Sequence, residues 1–126
     1  TPMEAGLERF VDFSKCFLGR EATLSRKLLG VNTKLVYVSV KTADSDCLGN
    51  ETVLNPEAPS GENIIGVTTS GAYGHTVSQS MAFAYVQPKF AEPGTKFEIR
   101  VLGHNCSATV LKEAAYDPQN LRLRDV

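Results

Sequence analysis

The chain has 126 residues, of which 42% are hydrophobic and 21% charged, and its formal net charge is −1. That length suits one domain able to bury a core without disulfide staples. The near-neutral balance leaves no basic surplus to neutralise phosphates, which argues against a nucleic-acid or anionic-membrane partner. No apolar run approaches the ~20 residues of a membrane span. Cys16, Cys47 and Cys106 are odd in number and widely separated, and His104 stands two residues before Cys106 without the spacing of a metal site. They read as reduced, mostly structural thiols in an intracellular compartment. The chain opens on Thr1-Pro2-Met3-Glu4-Ala5-Gly6-Leu7 and reads as part of a longer polypeptide.

In chain order, Leu7 to Phe13 partly alternates and predicts a strand, followed by a turn at Phe17-Leu18-Gly19. Arg20 to Leu29 predicts a helix, with Ala22, Leu24, Leu28 and Leu29 as its apolar set and Gly30 placed to end it. From Lys34 the character changes. Lys34 to Lys41 is β-branched and aromatic, Asp44 to Asn50 punctuates a loop, Glu51 to Leu54 is a short strand, and Asn55 to Glu62 is a surface loop. Further strands fit Asn63 to Thr69, Met81 to Gln87, Lys96 to Leu102 and Asn105 to Lys112, with turns at Pro93-Gly94 and Gly103-His104. Between two of these strands, Ser70 to Gly74 reads as a tight hairpin loop whose glycines take positive φ. Tyr116-Asp117-Pro118 reads as a turn closing the last strand, and Arg122 and Arg124 as a polar tail. About six short strands after one helix is the pattern of an all-β barrel or sandwich.

No residue carries a catalytic signature, and none is assigned a catalytic or metal-binding role. His75 stands at a loop tip with no adjacent group to orient it as a base. Asp44 and Asp46, with Glu51 nearby, lack the denser acidic ladder of a calcium loop and read as turn formers. Ser70 lacks a G-x-S-x-G setting, and Gly66, Gly71 and Gly74 do not open a helix after a strand.

Four blocks in order carry a resemblance along the whole chain. Thr1-Pro2-Met3-Glu4-Ala5-Gly6-Leu7 is similar to TPxEAGL, and Phe17 to Ala22 to F-[IL]-G-[RK]-E-A. Gly66 to Val86 is similar to a TSG…AxxYV block, and Tyr116-Asp117-Pro118 with Arg122-Leu123-Arg124 to a YDP…RLR ending. The chain thus resembles the C-terminal portion of the glycine-cleavage T-protein (aminomethyltransferase) superfamily. Asp44 to Glu51 further resembles the D-x-D-x-x-GNE segment of its sarcosine and dimethylglycine dehydrogenase branch.

The resemblance implies a mainly β fold: a six-stranded Greek-key-like β-barrel, preceded by a strand–helix remnant of a folate-binding α/β domain. Residues 1–30 would belong to that preceding domain, and residues 31–126 would form the barrel that closes one side of a folate channel. It implies tetrahydrofolate as the one-carbon acceptor of the parent enzyme, with FAD as well if the parent is of the dehydrogenase branch. The partners implied are the upstream domain of the same polypeptide and folate; the isolated piece is expected to be inactive alone, and without that domain Phe10, Phe13 and Phe17 would either drive self-association or belong to a disordered segment. The family places an aromatic residue two or three positions after EAGL, against the folate. Arg9 and Phe10 occupy those positions here, and Phe10 equally suits a strand core. Tyr73 in the TSG block is a third candidate folate contact, open also to the neighbouring domain or to solvent. A plain aminomethyltransferase, or a non-enzymatic regulatory protein on the same scaffold, is the alternative implied.

Overall fold

The structure, a computed structural model, describes residues 1–124. The last two positions of the expected barrel segment, 31–126, lie outside the described residues. Six strands form a closed antiparallel barrel: β1 (Lys34–Val40), β2 (Thr52–Leu54), β3 (Ile64–Gly74), β4 (Gln79–Val86), β5 (Lys96–Val101) and β6 (His104–Val110). The order around the barrel is β1-β4-β3-β2-β5-β6, with β6 returning to β1. Strands β2, β3 and β4 follow one another as neighbours and β1 lies beside β4, which is the Greek-key arrangement.

Period-two alternation decides what each strand buries. On β1, Val36, Val38 and Val40 point inward while Leu35, Tyr37 and Ser39 point outward. On β4 the inward set is Ser80, Ala82, Ala84 and Val86. A six-stranded barrel has little interior room, and its lining is correspondingly small: valines and alanines surround Phe97 and Ile99 from β5. Phe97 lies opposite Ala108 in the β5–β6 register, so the one large ring meets the smallest neighbour.

Three expected elements differ from what forms. Leu7 to Phe13 does not make a strand; it makes a single 3-10 turn at Glu8–Phe10. A closed barrel offers no free edge for an extra strand to pair with, and an alternating pattern cannot persist without one. The second difference is at Ser70 to Gly74. Strand β3 runs straight through that stretch to Gly74, and the reversal comes at positions 75–78, where Ser78 has φ 52°. The glycines there are not turn formers. A Cβ on Gly71 would sit 2.6 Å from the Cys47 carbonyl oxygen and 2.7 Å from the Cys47 Cβ, so Gly71 lets the loop after β1 press against β3. The ladder instead shifts register between Thr68 and Ser70.

Helix α1 (Arg20–Leu29) forms where expected, and Gly30, at φ 85° and ψ 174°, ends it in an extended positive-φ conformation open to glycine. No residue of α1 is buried. A second, four-residue helix α2 (Leu121–Arg124) replaces the expected polar tail. It starts on the Asp117 carboxylate, which accepts from the Leu121 and Arg122 amides at 2.8 and 3.0 Å.

Candidate functional site

The N-terminal segment packs across one end of the barrel. Met3 is buried, and the Leu35 amide donates to the Glu4 carbonyl at 2.8 Å, tying the segment to the start of β1. Between segment and barrel lies a cleft of about 740 Å³, lined among others by Glu4, Glu8, Arg9, Lys27 and Lys34. Three of its charges are matched: Lys27 Nζ lies 2.7 Å from Glu8, and Glu4 is reached at 3.8 Å by Nε of Arg26, which lies outside the cleft lining. Among the described residues, Arg9 and Lys34 have no carboxylate within ion-pair distance. The cleft therefore presents two unmatched cations, a setting that favours an anion such as a carboxylate.

The three expected folate contacts are not brought together. Arg9 and Phe10 are adjacent in space as in sequence, the Arg9 guanidinium lying 4.7 Å from the Phe10 ring centroid. Phe10 is 69% exposed, which removes its reading as a strand-core residue. Tyr73 stands at the far end of β3, its ring edge-on to His75 at 5.0 Å. It borders a second, polar cleft with Asp44, Asp46 and Gln79, which Val40 also lines, whereas Lys34 lines the first. The length of β1 thus separates the two clefts, about 20 Å at ~3.3 Å per residue.

Asp44 to Glu51 forms a loop at that second end, in which Glu51 holds a turn as the sequence suggests, whereas Asp46 ties the loop to β4 instead. Asp46 accepts from the Ser80 hydroxyl at 2.6 Å. The Glu51 carboxylate accepts from the Leu48 amide at 2.8 Å, from the Gly49 amide at 3.0 Å and from the Thr68 hydroxyl. Between these two anchors Cys47 is fully buried in the barrel core. Burial, with Glu51, Cys106 and Asp46 adding to it, pushes its thiol up to about 11. In the native protein a thiol reagent at neutral pH is expected to label exposed Cys16 at once and Cys47 only on unfolding. Prompt native labelling of Cys47, read by mass spectrometry, would contradict this loop placement.

Sequence reasoning missed Lys34, which looks like the polar end of a strand, and Lys27, which looks like a solvated helix residue. It also missed an apolar outer face. Tyr37 and Phe83 pack side by side across β1 and β4, with ring centroids 4.9 Å apart, and the Tyr37 hydroxyl lies 2.6 Å from the Met81 sulfur. The signal was present. Leu35-Val36-Tyr37-Val38 and Met81 to Val86 are apolar at both alternating positions, the mark of strands covered on two faces.

Among the described residues no three His, Cys, Asp or Glu side chains converge on a metal position. The family model of the glycine cleavage T-protein C-terminal barrel domain matches residues 34–117, and the chain belongs to that family. It is 37% identical over 98% of its length to mitochondrial dimethylglycine dehydrogenase of Mus musculus, and 29% identical over 98% to the probable aminomethyltransferase of Pyrococcus horikoshii. It spans 14% of the first relative and 29% of the second. The crystal structure of glycine cleavage system aminomethyltransferase T from Bartonella henselae superposes with a TM-score of 0.82 at 24% identity, over 94% of this chain and 32% of that one.

Proposed function

We propose that the chain is the C-terminal barrel of a folate-dependent one-carbon-transfer enzyme of the sarcosine and dimethylglycine dehydrogenase kind. Residues 1–30 would complete a preceding folate-binding domain, and the barrel from residue 31 would close one side of the folate channel. The observation that carries this reading is the similarity to dimethylglycine dehydrogenase along nearly the whole chain, higher than that to the archaeal aminomethyltransferase. The Gly49-Asn50-Glu51 loop agrees with it, since Glu51 is the residue around which that loop is built. A plain aminomethyltransferase is the second reading, favoured by the match of those enzymes over the same span.

The exposed apolar set of the N-terminal segment supports the domain assignment. Leu18, Leu28 and Leu29 are 104%, 78% and 84% exposed, on a helix and turn that the barrel leaves uncovered. A preceding domain of the same polypeptide would cover them; without it they favour self-association.

The donor set of the first cleft fits folate at its acidic end. Arg9 and Lys34 would hold the carboxylates of the glutamate tail, with Lys27 beside them. Tetrahydrofolate, when bound, supplies the nitrogens that take up the one-carbon unit. This chain's residues would bind, orient and exclude water there, leaving bond making to groups elsewhere in the polypeptide. FAD belongs to the same proposal as the oxidant of the amine in the longer enzyme. The bacterial cytoplasm or the mitochondrial matrix is the compartment such an enzyme would occupy. Among the described residues no helix is long and apolar enough to cross a membrane.

Charge reversal tests the cleft. In the longer polypeptide, Arg9→Glu and Lys34→Glu are each expected to weaken folate binding by roughly two- to fivefold, the scale of exposed ion pairs. Tyr73→Ala, at the other end of the barrel, should leave it unchanged. A loss on Tyr73→Ala with none on the cleft variants, measured by fluorescence titration, would move the folate contact to the second cleft.

A further inference from the structure

We draw no further inference here: the strongest candidate, the apolar outer face of β1 and β4 around Tyr37, Met81 and Phe83, carries nothing because nothing in the structure shows what covers it.

Discussion

Replacing Phe97 by alanine is expected to cost about 3–5 kcal/mol of stability, the range for a buried phenylalanine truncated in a packed core. Domains of this size have roughly 5–15 kcal/mol in all, so the loss is a large fraction of the total. Phe97 is the largest fully buried side chain of the barrel, 2% exposed, and its neighbours cannot fill the gap. Ala108 faces it, and β1 and β4 add only small side chains, three valines from β1 with Ala82, Ala84 and Val86 from β4, to the same core cluster. Phe83 provides the control on the outer wall, where its ring is 43% exposed and truncation removes much less buried surface. Urea denaturation of the two variants checks the difference. Equal losses would mean that the interior of the barrel is not the organising core.

The second large effect is at Glu51. Its carboxylate serves two backbone amides and a hydroxyl, and Thr68, which donates that hydroxyl, is 1% exposed. Glu51→Ala leaves those donors without an acceptor, and the expected cost is about 1–3 kcal/mol. The charge matters as well as the oxygens. Partial burial works to raise the Glu51 pKa, but the Thr68 hydroxyl and the Leu48 and Gly49 amides outweigh it, so the net shift is downward. A carboxyl with a depressed native pKa stabilises the fold above the unfolded-state value and loses that contribution as the pH falls through the native one. Acid below about pH 4 should therefore destabilise the wild-type barrel through this group, and Glu51→Gln should remove that part of the pH dependence. Urea midpoints at neutral and acid pH measure it, and the comparison between the two proteins cancels what the other carboxyls contribute. Identical pH slopes would mean that Glu51 is not ionised against these donors.

Much of this architecture was legible because it is written in short-range patterns. The helix from Arg20 to Leu29 announces its end with Gly30, and the inward valines of β1 alternate without a break. What failed was information that depends on distant contacts. Gly71 looks like a turn residue by composition, yet its lack of a Cβ is required by Cys47, a residue remote in sequence. Leu7 to Phe13 alternates well enough for a strand, but only the closed topology reveals that no edge awaits it. The candidate site was half legible for the same reason. Arg9 and Phe10 are neighbours in any conformation, while Lys34 joins them only because the Glu4 carbonyl is bonded to Leu35. Tyr73 was grouped with them on resemblance, and the length of β1 separates it from their cleft.

The central claim is that this barrel shapes a folate site whose remaining determinants lie elsewhere in a longer polypeptide. Calorimetric titration with a tetrahydrofolate analogue tests it most directly, using the 126-residue chain beside a longer protein that restores the upstream segment. The account predicts binding by the longer protein and little or none by the chain alone. Tight binding by the chain alone, or none by either, would contradict it.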